Sequence, residues 1–398
     1  ISVTGVQTCA LPISLRLGGH FYYNTSGTDM KFNKWTVALA ASGLVSLGSV
    51  AQADEASNGV MTSLSKTTLS GYVDTAVTYT DGTKMNNLLG YQSRTDGIDL
   101  NVFKLVLEKP LDEGDWAAGY RVDLLAGPDA ILYNPVGADD GILGIKQAYV
   151  ATRAPIGNGL DLKLGVFDTI IGYEVFENAG NPNMSRSYGW NNEPTQHTGL
   201  VGAYQINDMI GFSAGIANTS NAVINQRPSD LMAGDDGEDL SYLASVTISA
   251  PDSMGVLAGS ALYLGVVDGL TGAGGDDQTN WYVGATTPTP IEGLGLGIAY
   301  DDAQDVGGVS GTDATSLALY ASYQATDKMA VHGRIDWLDQ DATGDEYLAL
   351  TGTVDYALWD NVLTRLEGRW DSLEDGTGAG NGFGDDIFTL TLNAIYQF

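Results

Sequence analysis

The chain has 398 residues, 18 Lys and Arg against 49 Asp and Glu, and a formal net charge of −31. That balance excludes a nucleic-acid binder, whose partner's phosphates need a basic surface, and a protein held on anionic lipid by a polybasic face. The lone cysteine, Cys9, excludes a disulfide framework and a thiolate metal site.

The first element in chain order is a second start. Residues 30–34, "MKFNK", form a short basic region, and 35–50, "WTVALAASGLVSLGSV", form an uncharged apolar stretch. Small residues at Ala51 and Ala53 then precede Asp54 and Glu55. This is the pattern of a secretory signal peptide, 30–53, with cleavage expected after Ala53. It is short for a membrane-spanning helix, which needs ~20 apolar residues. Residues 1–29 lie upstream of that start, look like translated adapter sequence, and are expected to be no part of the exported protein. Residues 54–67 are then a short N-terminal segment on the periplasmic side.

From 68 onward the sequence alternates, apolar against polar, in sixteen segments. They are 68–80, 98–109, 116–126, 145–153, 160–168, 197–206, 210–218, 239–249, 256–267, 279–287, 294–301, 315–324, 329–338, 346–357, 362–372 and 386–398. Most approach the ~9–11 residues that a tilted strand needs to cross a bilayer. Turns such as "PLDEGD", "APIGNG" and "ATDK" alternate with longer polar loops such as 169–196 and "SLEDGTGAGNGFGD". Short turns at one end and long loops at the other predict an all-β, antiparallel transmembrane barrel over 68–398, with about 16 strands. The turns would be periplasmic and the loops extracellular. A β-sandwich or propeller is the soluble alternative, but no fixed blade period is present.

The faces of the strands argue the same way. In the segment 116–126, Trp116, Ala118, Tyr120, Val122 and Leu124 oppose Arg121 and Asp123. In 160–168, leucines oppose Asp161 and Lys163. Arg or Lys facing lipid near the midplane costs about 2–4 kcal/mol, so the charged face is expected to line a watery lumen. Expected pore-lining residues are Lys104, Glu108, Arg121, Asp123, Asp161, Lys163, His332, Arg334, Asp336, Arg365, Glu367, Arg369 and Asp371. Trp116, Tyr356, Trp370, Tyr396 and Phe398 are expected at the interfacial girdles, where amphipathic rings sit at headgroup level. The ending "TLTLNAIYQF" has one apolar face, interrupted on the other side only by Ile395, and reads as the closing strand.

The stretches "FKLVLEKPLDEGDWAAGYRVDLLAG", "KQAYVATRAPIGNGLDLKLGVFDTIIGYEVFENAGNPNMSRSYGW" and "TQHTGLVGAYQINDMIGFSAGIAN" resemble the beta-barrel porin-2 (OmpL-like) family of bacterial outer-membrane barrels. The resemblance runs through most of 68–398. It implies a pore-forming outer-membrane protein for passive diffusion of small hydrophilic solutes or ions, without a cofactor. Outer-membrane lipid is then the expected surrounding, with the acidic loops bridging to lipopolysaccharide through divalent ions. The aromatic-ended C-terminal strand resembles the signal that the β-barrel assembly machinery reads, and a homotrimer is the expected assembly. Porins commonly fold one loop inward. Loop 169–196 is expected to do so, with Glu174, Glu177 and Arg186 facing the lumen charges. The acidic loops predict a modest cation preference. Asp339, Asp341 and Asp345 hint at calcium, without the spacing of a known calcium loop. Two other readings stand beside the pore. One is a structural or adhesive barrel with a plugged lumen. The other is an outer-membrane hydrolase built on His197, for which no serine motif is present.

Overall fold

The computed structural model describes residues 66–81, 96–133, 143–220, 222–231, 239–271, 275–376 and 386–398. The expected signal peptide and everything before it lie outside the described residues, as does most of the acidic stretch 235–239.

Sixteen strands follow in chain order. The first eight are β1 (Thr68–Asp81), β2 (Gly97–Lys109), β3 (Ala118–Ala126), β4 (Leu143–Ala154), β5 (Leu160–Asp168), β6 (Gln196–Gln205), β7 (Ile210–Ala217) and β8 (Ser241–Ser249). The second eight are β9 (Ala261–Leu270), β10 (Asp277–Pro288), β11 (Leu294–Gln304), β12 (Ala314–Gln324), β13 (Met329–Gln340), β14 (Asp345–Trp359), β15 (Val362–Asp375) and β16 (Ile387–Gln397). Each pairs antiparallel with its sequence neighbour, and β1 pairs with β16 from Tyr72↔Gln397 to Asp81↔Phe388, closing the barrel. Closure pairs the backbone of the two strands that would otherwise be edges, as a sheet in lipid requires.

Alternation in sequence becomes inside and outside in space. On β13, His332, Arg334 and Asp336 are buried within the barrel, while Val331 and Ile335 are exposed outside. On β16, Phe388, Leu390, Leu392 and Tyr396 are exposed outside, while Thr391 and Asn393 are buried. Large apolar side chains stand outward on nearly every strand. Each would gain about 1.5–3 kcal/mol on leaving water, so this belt is stable only against an apolar solvent.

One end of the barrel carries the connections 110–117, 155–159, 206–209, 250–260, 289–293, 325–328 and 360–361. The other carries 82–96, 127–142, 169–195, 218–240, 271–276, 305–313, 341–344 and 376–386. Two departures from expectation stand out. Residues 256–260 belong to a turn, which contains a 3-10 segment Asp252–Leu257, and β9 starts only at Ala261. The connection 341–344 is tight, because β13 and β14 extend through the acidic stretch. Asp339 therefore lies on a strand face opposite to buried Asp345, which accepts a hydrogen bond from Tyr347 Oη at 3.0 Å. Asp341 is exposed in the turn. The three do not converge, and among the described residues no cluster of three or more such ligands is arranged for a metal.

Trp116 is also displaced from its expected strand. It sits in the turn before β3 with φ 57°, strongly exposed. Tyr356, Tyr396 and Phe398 are exposed near the same short-turn end. Trp370 is half-buried toward the opposite end, paired with Phe388.

The interior is not uniformly polar, contrary to the expected watery lumen. Loop 169–195 enters the barrel and builds three apolar clusters with the wall. One joins Ile170, Ile171 and Tyr173 to Phe167, Val201, Leu243, Val267 and Tyr282. A second centres on Tyr188, Tyr347 and Leu338. The third packs Phe176 against Tyr72, Val102, Leu125 and Ile395. Ile395, the apolar residue on the inward face of the last strand, is completely buried beneath this loop.

Candidate functional site

Loop 169–195 is knotted to itself before the wall takes hold of it. Thr169 N donates to Thr195 O at 3.2 Å and draws the neck together. The Asn181 carboxamide bridges Val175 N (2.8 Å), Val175 O (2.6 Å) and Glu177 O (3.0 Å). Arg186 donates to Val175 O (2.9 Å), Phe176 O (2.7 Å) and Asn178 Oδ1 (2.8 Å), and lies over the Trp190 ring. Expected to face the lumen, Arg186 instead clasps the loop's own backbone. A single helical turn, α1 (Tyr188–Asn192), follows, with Ser187 at its N-cap. Gly189 lets α1 approach the wall closely: a Cβ there would meet Asp301 Oδ2 at 2.3 Å and Ser316 Oγ at 2.6 Å. No residue from 169 to 197 is exposed.

On one side the wall grips this loop through charge. Arg334 on β13 reaches Glu174 (2.9 Å), Asp336 (2.9 Å), Ser185 O (2.6 Å) and Arg186 O (2.9 Å). Arg365 on β15 forms a two-pronged pair with Asp355 (2.8 and 2.7 Å) and also holds Asn178 O and Asn181 O. Arg369 pairs with Asp371 at 2.7 Å and donates to Arg186 O. Acids receive the loop's N–H groups. Glu367 accepts from Met184 N and Ser185 N, and Asp336 from Tyr188 N at 3.0 Å. Asp371 accepts from Tyr188 Oη at 2.7 Å. An irregular backbone buried in a barrel must find partners for its polar groups, and here the wall side chains supply them.

The strands β1 to β5 complete this grip. Lys104 is shared between Asp123 (2.8 Å) and Glu177. Lys146 joins Asp168 and lies 3.6 Å from Glu177. Arg121 pairs with Asp123 (2.7 Å) and more loosely with Glu108 (3.4 Å). Asp161 takes both prongs of Arg153 at 2.6 Å, and Lys163 lies over the Tyr149 ring at 4.6 Å. His332 meets Ser322 Oγ at 2.8 Å and Asp355 at 3.5 Å. Burial opposes charge on Glu177, but Lys104 and Lys146 beside it outweigh that cost and hold its carboxyl well below the usual glutamate value.

Three residues outside the sequence expectation, Asp74, Asn101 and Lys146, matter as much, together with Asn393, which was expected on the lumen face of the closing strand. Asp74 on β1 gathers Asn101 (2.7 Å), Asn178 of the loop and Asn393 (2.5 Å), binding three segments at the barrel seam. Asp74, Asn101 and Asn393 lie on inward strand faces, a signal open to the alternation argument. Lys146 does not: a register shift opposite Asp123 and Leu124 turns both Lys146 and Gln147 inward, against strict alternation.

On the other side the grip is uncharged. Tyr173 stacks on Tyr320 with centroids 4.0 Å apart, and Asn280 Nδ2 donates to Asn192 O at 2.7 Å. Glu193 faces Asp301. Burial first, and that neighbouring carboxyl second, push Glu193 well above the ordinary glutamate value. His197 sits at the loop neck, 3.1 Å from Thr169 Oγ1.

A closed sixteen-stranded barrel, apolar outside, with one loop folded into a charged interior, defines a porin-type outer-membrane protein. The chain belongs to the family described as "Putative beta-barrel porin-2, OmpL-like", whose model matches residues 66–398. No curated protein sequence matches it. In fold it is similar to the anion-selective porin from Comamonas acidovorans (14% identity, 83% of this chain and 99% of that one, TM-score 0.58). It is also similar to Pseudomonas putida OprB (10% identity, 85% and 96%, TM-score 0.61). A third similar structure is the trimer form of Vibrio cholerae OmpT (12% identity, 83% and 99%, TM-score 0.56).

Proposed function

We propose that this outer-membrane porin carries small hydrophilic solutes and ions by passive diffusion, with loop 169–195 as its constriction. The observation that carries this reading is the loop itself, folded inside a closed barrel and held at named points by Arg334, Arg365, Arg369 and Lys104. Glu174 and Glu177 set the charge of the narrow zone, while Arg186 shapes it. Excess acid at the mouths, together with interior bases largely taken up in ion pairs, favours a modest preference for cations. The long loops face the outside, where their carboxylates bridge to lipopolysaccharide through divalent ions. The signal peptide is cleaved after Ala53, the closing strand addresses the assembly machinery, and the protein assembles as a homotrimer, the form in which one similar structure is described.

That no residue from 169 to 197 is exposed favours a second reading, a barrel sealed by its own loop. Planar-bilayer recording separates the two. The parent protein is expected to conduct, and deletion of 174–188 to raise its unitary conductance several-fold. Unchanged conductance on deletion overturns the constriction, and a silent parent with a conducting deletion variant establishes the seal.

A further inference from the structure

The loop is a strap fixed at two places. Its neck is tied where Thr169 N donates to Thr195 O, between the ends of β5 and β6. Its tip, 174–188, is clamped by charge. Arg334 holds Glu174, Lys104 and Lys146 hold Glu177, and Arg365 and Arg369 hold backbone carbonyls. Between neck and tip, residues 169–173 and 189–193 rest on β8 to β12, and that contact is of another kind. Strands β6 to β12 contain no lysine or arginine, so no base of this wall reaches the strap. Its polar ties are the hydrogen bond between the Tyr320 and Ser187 side chains, the donation of Asn280 to Asn192 O, and the facing carboxyls Glu193 and Asp301. Tyr173 adds its stack on Tyr320. The remainder is apolar contact, made flush by absent side chains: a Cβ on Gly265 would collide with Ile171, and one on Gly297 with the Tyr173 hydroxyl. The seam is also imperfect. Between residues 169–173 and β8 to β10 lies a gap of about 30 Å³, room for about one water. The buried Tyr173 hydroxyl has no hydrogen-bond partner among the described residues.

We propose that the strap is a gate that opens along this seam: residues 169–173 lift from β8 to β12 while the clamped tip stays in place. The inference rests on the porin reading above and says how a barrel whose loop has no exposed residue comes to conduct. Lifting 169–173 breaks no ion pair. It gives up the tyrosine stack and dispersion contacts, which fall off within about an ångström of separation. In return it brings water to the Tyr173 hydroxyl, a group that buried structure normally satisfies. Releasing the tip instead would strand Arg334, Glu174, Lys104 and Glu177 as buried charges without their partners, the costlier event. The wall so uncovered carries small inward residues, Ser245, Thr247, Gly265 and Gly297 among them, so a modest shift of the strap opens a wet path.

Planar-bilayer recording of the full chain carrying both Ile171→Cys and Gly265→Cys tests this. A Cβ on Gly265 would lie 3.6 Å from that of Ile171, within the ~3.5–4.5 Å at which a disulfide closes. Oxidation of the folded barrel is expected to cut the mean current at least ten-fold, and dithiothreitol to restore it. The parent, whose only cysteine is Cys9, should respond to neither. Tyr173→Ala loosens the seam without a cross-link, and is expected to lengthen the open intervals several-fold at unchanged open-level conductance. It decides alone if the paired variant does not fold. A disulfide confirmed by mass spectrometry that leaves the current unchanged overturns the gate and leaves the pore standing. So does failure of the two cysteines to couple in a barrel that runs as folded on SDS gels, and so do unaltered open intervals in Tyr173→Ala. Silence of the parent and of the reduced variant overturns the porin reading itself, and the gate with it.

Discussion

Arg334 ties together two carboxylates and two loop carbonyls while almost wholly buried. Removing one partner of such a cluster strands the others without solvent, a loss of roughly 3–5 kcal/mol. Arg334→Met is therefore expected to lower the temperature at which the folded barrel converts to its heat-modified form on SDS gels, and to make single-channel records noisier. Protonation acts in opposite senses on the two sides of the loop. Glu177 has a depressed carboxyl, so its contribution is present above the unfolded value and is lost only as pH falls through the folded value of about 2. Glu193 has a raised one, so its contribution is complete below the unfolded value and is lost as pH rises through the folded value, when it and Asp301 face each other charged. Loop fluctuations should thus grow toward alkaline buffer, and Glu193→Gln should flatten that dependence in bilayer recordings. The charged inward residues, Arg334 and Asp336 among them, were legible from alternation. The clasp by Arg186 was not, because backbone carbonyls of an irregular loop leave no pattern in the sequence.

At the scale of strands, alternation located all sixteen elements, since a sheet wetted by lipid on one side must change character at every residue. It failed where the backbone departs from regular pleating. One such place is the 3-10 turn before β9, and another is the register shift that brings Lys146 inward. The closing strand joins the first at its very end. Gly71 and Phe398 exchange two backbone hydrogen bonds of 3.0 Å, and the Phe398 ring stacks on Phe103 at 6.2 Å. Deleting Phe398 removes both bonds and the stack at the barrel's last closed position. The expected result is less protein in the outer-membrane fraction, with unitary conductance of the assembled remainder unchanged. A normal yield would show that the seam does not need this residue.

For the molecule as a whole, the barrel could be read from the sequence but its occupancy could not. The length of 169–195 permits an inward fold without specifying how much of the cross-section it fills. That depends on pairings between residues more than a hundred positions apart, such as Glu174 with Arg334 and Asn178 with Asp74. Net charge also belongs to this scale. A chain at −31 surrounds its mouths with negative potential. The reversal potential in a salt gradient is expected to favour cations, and to weaken as ionic strength shortens the Debye length. A potential favouring anions would contradict the expected selectivity.

The wall arginines hold much of the loop by its carbonyl oxygens: those of Asn178, Asn181, Ser185 and Arg186. A carbonyl is common to every amino acid, so several positions in the loop can mutate without releasing it. The barrel thereby separates what must be kept from what can vary. Descendants could exchange side chains facing the interior while inheriting the same scaffold, acquiring new cargoes with little risk to assembly.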